Sequence, residues 1–309
     1  MLLLFLYTEE NILMGDIMPI LLDEPITESD LEEYLNGYSD FSFELQVLNK
    51  FIELGFTCEH SGTYDDPITE KSREFDIRAL YTSGPMRLRL SVECKNLRDN
   101  FPLILHCLQR KRSESYNEII CTFDPEKLND NLEVPVGVQE FSRSIRLNRT
   151  GYILYEPHNY VAKSGDQVGR KRQDKSIVST DSGVFDKISQ SLNSAYDFVT
   201  EAQYLEVTGH SFFSLIIPVL VVPDNTLWQS RYDEQGSRQG NPEKIGKISY
   251  FVGKEWFTGG MNSITYSISH LEIVTFSEIE NFAKDYLLDY LDNCKWIISE
   301  ENEFKDIPK

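Results

Sequence analysis

The pattern of apolar and polar positions is clearest between residues 86 and 95, where the two kinds of side chain alternate without a break. Alternation with a period of two is typical of a β-strand. It predicts that Glu93 and Lys95 share one face, where the hydrophobic run ends. An extended segment over 73–81 precedes this strand across the turn "TSGP", so the two are expected to pair as a hairpin. Such pairing can set Asp76 near Glu93 and Lys95 across the ladder.

Apolar residues at helical spacing predict four helices. The first begins at Thr27, with Asp30 in a capping-box-like position. The second covers residues 39–55 and ends at a glycine. The third covers 181–199, and the fourth covers 277–291. The apolar stripe of the second helix is expected to consist of Leu45, Leu48 and Ile52.

The remaining segments predict how these elements combine. Residues 212–223 are apolar on both faces, as in an interior strand of a sheet, and 267–276 predict another strand. Residues 224–262 are polar and glycine-rich and predict a hairpin excursion. Between 96 and 180, short apolar runs alternate with basic clusters, including an expected loop over 161–175.

The order of the predicted elements favours one α/β layer structure rather than two domains. Its core is expected to comprise residues 40–222 and 263–292, with 224–262 as an insertion, within a domain covering 39–309. Residues 1–38 are then an acidic N-terminal extension.

The charge of the chain is strongly negative but unevenly distributed. The 309 residues carry a formal net charge of −20, and residues 1–49 contain eleven acidic side chains and no Lys or Arg. Residues 95–175 are the exception, with 14 basic against 11 acidic residues. A basic middle between acidic ends permits a polyanion partner at one surface, and the acidic ends could dock a basic partner protein.

The five cysteines include no C-x-x-C pair and match no histidine spacing of a zinc site. A reducing cytoplasm is therefore the expected location. The apolar start, "MLLLFLY", is too short for a membrane span and lacks the basic region of a signal peptide, so no membrane partner is expected. Met14 and Met18 are alternative start positions.

Glu44 lies on or beside the apolar stripe of the second predicted helix. A carboxylate there is costly unless it is paired, protonated or bound to a metal. Glu44 is therefore a candidate third acid beside Asp76 and Glu93.

The order of these residues resembles the motif of the PD-(D/E)XK nuclease superfamily. Glu44 lies on a predicted helix, Asp76 on a predicted strand, and Glu93-Cys94-Lys95 at the end of the next strand. The resemblance implies a restriction-endonuclease-like fold, with a central mixed β-sheet flanked by helices. Phe75 stands where the family pattern has proline. Asp65 and Asp66 are rival acids, although they precede Pro67 in what is expected to be a turn.

The resemblance also implies the chemistry of the site. Asp76, Glu93, the backbone carbonyl of Cys94 and Glu44 would hold Mg²⁺, for which Mn²⁺ can substitute, and Lys95 would handle the attacking water during hydrolysis of a phosphodiester. DNA rather than RNA is the expected substrate, and a homodimer is a candidate assembly. From their side chains alone, seven basic residues and one glutamine are expected to contact the nucleic acid: Arg87, Arg89, Lys163, Arg170, Lys171, Arg172, Gln173 and Lys175.

Two alternatives stay open. Glu93 and Lys95 alone could form a surface salt bridge on an edge strand, which contributes little to stability. The chain could also be a non-catalytic module that retains the nuclease-like fold and binds nucleic acid or a protein.

Overall fold

A computed structural model of the protein describes residues 23–37, 39–123, 141–149, 153–180, 182–204, 212–259 and 263–294. The chain divides into two compact units between Ser39 and Asp40. The first contains helix α1 (Glu28–Gly37). At its start the Thr27 amide donates to Asp30 Oδ2 at 2.8 Å and the Asp30 amide donates to Thr27 Oγ1 at 3.3 Å. The predicted capping box is therefore confirmed.

Among its described residues, the second unit contains a short 3₁₀ helix, Arg112–Glu114, and three longer helices: α2 (Phe41–Glu53), α3 (Ser182–Glu201) and a C-terminal helix, α4. Helix α4 combines a 3₁₀ turn, Phe276–Glu278, with α-helical residues Ile279–Asn281, a π-helical stretch Phe282–Leu288 and a final α-helical turn Asp289–Asn293. The strands are β1 (Thr57–His60), β2 (Thr63–Asp65), β3 (Ser72–Glu74), β4 (Ile77–Ser83), β5 (Met86–Cys94), β6 (Leu103–Gln109), β7 (Asn117–Phe123), β8 (Phe141–Leu147), β9 (Tyr160–Arg170), β10 (Ile177–Thr180), β11 (Phe212–Val222), β12 (Leu227–Tyr232), β13 (Arg238–Lys244), β14 (Lys247–Phe257) and β15 (Thr265–Thr275).

Thirteen of the strands in the described part of the chain form one mixed sheet, in the order β1-β4-β5-β11-β15-β14-β9-β6-β12-β13. Strand β7 pairs with β11 and β8, and β10 pairs with β9. Strands β4 and β5 are antiparallel, whereas β11 runs parallel to both β5 and β15. The α/β class with a large mixed sheet flanked by a few helices is thus confirmed.

The centre of the sheet is buried on both faces. Every residue of β5 and of β11 is buried, as predicted for β11. The polar face of β5 is covered by α3, where Ser91 Oγ lies 2.8 Å from the carbonyl oxygen of Ser191. Apolar side chains of α2 and α4 pack on the other face, including Val47 and Phe282. The result is a three-layer arrangement, with the sheet between α3 and the α2–α4 pair.

Helix α2 is rotated relative to the prediction. Its buried stripe is Phe43, Val47 and Phe51, and Ile52 is 50% exposed. Both stripes have helical spacing, so the sequence pattern alone does not choose between them. The choice is made by tertiary packing, for example by the edge-to-face contact of Phe51 with Phe56 at 5.5 Å. The predicted stop is present at Gly55, where φ is +90°.

The middle of the chain contributes more strands than the sequence indicated. The expected loop over 161–175 is instead most of β9 and the turn that joins it to β10. The excursion over 224–262 contains the β12–β13 hairpin and then β14, which pairs with β15. Isolated short strands are difficult to recognise in sequence because their partners, which are distant along the chain, supply the stabilising contacts.

Candidate active site

The candidate site lies where β4 begins and β5 ends. Asp76 occupies the bend immediately before β4, and the register pairs Ile77 with Val92. That register brings Asp76 beside Glu93, the next residue along β5. The Cys94 amide donates a 2.7 Å hydrogen bond to Asp76 Oδ2, which ties the two strand ends together.

A lysine that the sequence reasoning missed joins the two carboxylates. Lys187 Nζ, on α3, lies 2.7 Å from Asp76 Oδ2 and 2.9 Å from Glu93 Oε2. One turn further along α3, Ser191 Oγ accepts a hydrogen bond from the Val219 amide at 3.1 Å, which anchors the helix to β11. The only sequence signal for Lys187 is its position beside the buried residue Ile188 on a helix that covers the sheet.

Burial dominates the electrostatics of this cluster. The Glu93 side chain is 1% exposed, and its Oε1 atom makes no hydrogen bond within the described part of the chain. This burial, together with the charge of Asp76, raises the pKa of Glu93 to about 8 despite the opposing effect of Lys187. Burial alone would lower the pKa of Lys187, but the charges of Glu93 and Asp76 outweigh it and raise that pKa. Two acidic groups therefore share one ammonium.

Glu44 approaches the same cluster from α2. Its Oε2 atom lies 3.5 Å from His60 Nε2 on β1. Burial raises the pKa of Glu44, and the charge of Asp76 raises it further, while Lys187 and His60 oppose this. Glu44 is thus close enough to Asp76 for their charges to interact, but its nearest ionic partner is a histidine.

Lys95 makes a different contact from the one expected. Strand β5 ends at Cys94, so the two-residue alternation no longer determines where the next side chains point. Lys95 Nζ lies 3.1 Å from Asp40 Oδ2, and the Asn96 amide donates to Asp40 Oδ1 at 3.0 Å. Asp40 precedes α2 but makes no side-chain capping bond to it. The ammonium ion-paired with Glu93 is therefore that of Lys187, and the catalytic role of Lys95 stays a prediction.

The carboxylates at this site are candidate ligands for a divalent cation. Within the described ranges, no group of three or more His, Cys, Asp or Glu side chains is arranged to hold a metal. Asp76 and Glu93 nevertheless converge on a single cationic atom, and the buried Oε1 of Glu93 accepts no hydrogen bond from any described residue. Two hard oxygen donors with one unused lone-pair site fit Mg²⁺ or Mn²⁺. Glu44 and the Cys94 carbonyl stay predicted ligands.

The rival acids have other surroundings. Asp66 is buried and accepts hydrogen bonds from the Ile68 and Thr69 amides and from Asn193 Nδ2. It stabilises the turn between β2 and β3. Asp65 is an exposed residue of β2. Among the described residues, neither carboxylate shares a hydrogen-bond or ion-pair partner with Asp76 or Glu93.

The predicted nucleic-acid contacts divide into two groups. Arg87 and Arg89 are each 6% exposed: Arg87 stacks over Phe212, and Arg89 pairs with Glu201 of α3. Burial makes these two arginines unsuited to phosphate contact. Lys163 is ion-paired with Glu114. The other five residues are exposed at the tip of the β9–β10 hairpin: Arg170, Lys171, Arg172, Gln173 and Lys175.

Comparison with protein-family models, curated proteins and solved structures returns no match for this chain. The site must therefore be interpreted from its own geometry. None of the helices that the structure describes is both long enough and apolar enough to cross a membrane.

Proposed function

We propose that this protein is a metal-dependent nuclease that hydrolyses phosphodiester bonds, with DNA as the substrate. The observation that carries the proposal is the convergence of Asp76 and Glu93 on one cation position at the end of a buried strand. Carboxylate pairs of this kind occur where a protein must hold a divalent cation next to a phosphate.

The chain order supports a restriction-endonuclease-like fold. Helix α2 precedes the antiparallel strands β1, β4 and β5, and α3 then leads to β11, which is parallel to β5. The candidate residues follow the same order: Glu44 on α2, Asp76 before β4 and Glu93 on β5. The resemblance implied this succession of a helix and strands bearing those acids.

In this proposal, Asp76 and Glu93 would hold the cation, and Glu44 would add negative charge beside them. When bound, a divalent cation would neutralise charge on the phosphate and make a water molecule more acidic. Lys187 supplies the counter-charge that lets the two acids coexist in a nearly dry position, and its ammonium can donate hydrogen bonds to a phosphate oxygen. Lys95 is the alternative donor, held nearby by Asp40.

The test is cleavage of supercoiled plasmid and of single-stranded DNA at low salt with Mg²⁺ or Mn²⁺. Asp76→Asn and Glu93→Gln should each abolish cleavage, as should a chelator, because either change removes a metal ligand. Asp65→Asn is the matched control, since Asp65 is an exposed carboxylate nearby in the sequence. Lys187→Met and Lys95→Met, compared in the same assay, identify the lysine that acts.

The second candidate is a non-catalytic module that binds nucleic acid or protein. The ion pairs of Lys187 with both carboxylates favour it, because the ammonium already occupies the position of a cation. An inactive wild-type protein whose melting temperature does not rise with Mg²⁺ or Mn²⁺ would support this module and contradict the nuclease.

A further inference from the structure

A groove of about 360 Å³ lies beside the base of the β9–β10 hairpin. One wall is the segment that follows β5, and the other is formed by β9 and β10. Its size falls within the range of pockets that bind small ligands. Its lining residues are Asp99, Asn100, Pro102, Val168, Gly169, Arg170 and Ile177.

The walls of the groove are held in place by close backbone contacts. The Val168 amide donates to the Pro102 carbonyl at 3.0 Å. A Cβ atom on Gly169 would lie 2.7 Å from the Phe101 ring, so a larger residue would require that ring to move. The groove is therefore a feature of packed backbone.

The segments on both sides of the groove lead towards the elements that carry the carboxylate site. Its first wall begins only a few residues after Glu93 and Lys95. On its second side, Gln167 donates a hydrogen bond to the Phe101 carbonyl at 3.4 Å and lies against Gly183, in the first turn of α3. Lys187 is four residues beyond Gly183, one turn along the same face of the helix. Positions with this spacing lie about 6 Å apart.

The lining chemistry matches an unpaired nucleotide. Pro102, Val168 and Ile177, which is 58% exposed, offer an apolar surface for the face of a base. Asp99 and Asn100 offer groups that can hydrogen-bond to base edges. The exposed hairpin tip adds four cations that can contact the backbone phosphates: Arg170, Lys171, Arg172 and Lys175. The chain as a whole has a net charge of −20.

We propose that this groove binds an unpaired nucleotide of a single nucleic-acid strand next to the carboxylate site. The inference rests on the proposed function and adds a strand preference to it. Single strands are bound by a positive track combined with surfaces that contact base faces, and the hairpin and groove provide both. A duplex keeps its bases stacked and cannot fill the groove without unpairing.

The experiment measures fluorescence anisotropy of a labelled single-stranded oligonucleotide and of the matching duplex. All variants carry Glu93→Gln, which removes one carboxylate charge and prevents hydrolysis. We expect tighter binding of the single strand. Arg170→Ala should weaken it about tenfold and lower the salt slope by about one, and Ile177→Ala should weaken it about fivefold. Arg238→Ala on β13 and Ile52→Ala on α2, which are exposed residues of the same types, should leave it unchanged.

Unchanged single-strand affinity in Arg170→Ala and Ile177→Ala would overturn the groove proposal. A loss of affinity in Arg170→Ala alone would also overturn it, because it would indicate only non-specific attraction to the hairpin. Equal losses of affinity in the two control variants would overturn it as well. The proposed function is tested separately by plasmid cleavage with the otherwise wild-type protein. Groove-dependent binding by a protein that never cleaves would leave the groove standing and refute the nuclease.

Discussion

Replacing Lys187 with methionine tests the arrangement of charges at the candidate site. Methionine keeps most of the aliphatic volume and removes the ammonium that lies within 2.9 Å of both Asp76 and Glu93. The side chains of Lys187 and Glu93 are 17% and 1% exposed, so the two carboxylates would lose their counter-charge in a poorly solvated position. Removing one partner of such a buried pair costs about 3–5 kcal/mol. Because Lys187 retains some contact with solvent, we expect a loss of about 3 kcal/mol at pH 8.5.

The loss should depend on pH in a defined direction. Burial already raises the pKa of Glu93 in the folded protein above its value in the unfolded chain, and loss of the opposing ammonium raises it further. A raised carboxyl pKa means that the folded state binds more protons, so stability falls as pH rises. The difference between Lys187→Met and wild type should therefore be largest at about pH 8.5, above the wild-type pKa of Glu93, and smaller towards about pH 5, where Glu93 is protonated in both folded proteins.

Urea denaturation followed by circular dichroism at the two pH values measures this difference. Lys284→Met is the matched control, because Lys284 pairs with Glu280 on the surface of α4, and it should leave stability unchanged. Added Mg²⁺ should raise the melting temperature of Lys187→Met more than that of wild type, since no ammonium then competes for the carboxylates. A variant as stable as wild type at pH 8.5, or a loss that does not change with pH, would refute the argument.

Three further predictions follow from individual contacts. Wild-type stability should fall as pH rises from about 4.5 to about 8, because the folded-state pKa of Glu93 is raised to about 8. In urea denaturation, Glu93→Gln should reduce this dependence on pH, and an unchanged dependence would show that Glu93 is not its source. Asp40→Asn should cost about 1 kcal/mol in the same assay, because it weakens the contact with Lys95, and no loss would mean that this ion pair does not form in solution. Phe51→Ala should lower the free energy of unfolding by about 3–5 kcal/mol and Ile52→Ala by less than about 1 kcal/mol, because Phe51 is buried and Ile52 is exposed. The reverse order would show that α2 is rotated as the sequence pattern suggested.

Local patterns of the sequence were sufficient for the central hairpin and the helices that flank it. Alternation over 86–94 and the turn before Met86 predicted the pairing of β4 with β5, and with it the approach of Asp76 to Glu93. The apolar stripe of α3 and the doubly apolar strand β11 were also predicted from their periodicity. These features depend on residues close together in the chain, where spacing alone specifies a face.

The identity of the ion-pairing lysine was decided by tertiary structure. Lys187 is 94 residues from Glu93 in sequence, and the two meet only because α3 packs across the polar face of β5. The same packing buries Arg87 and Arg89, which the strand pattern alone left available to solvent.

The sequence by itself determined that Asp76 and Glu93 lie side by side, because a hairpin register relates residues that are near one another in the chain. Only the tertiary structure decided which cation they share, which face of α2 is buried, and that Lys95 pairs with Asp40 beyond the end of β5. Those outcomes depend on how helices and distant strands pack on the sheet. Periodicity carries no information about that packing, because several partners satisfy the same spacing.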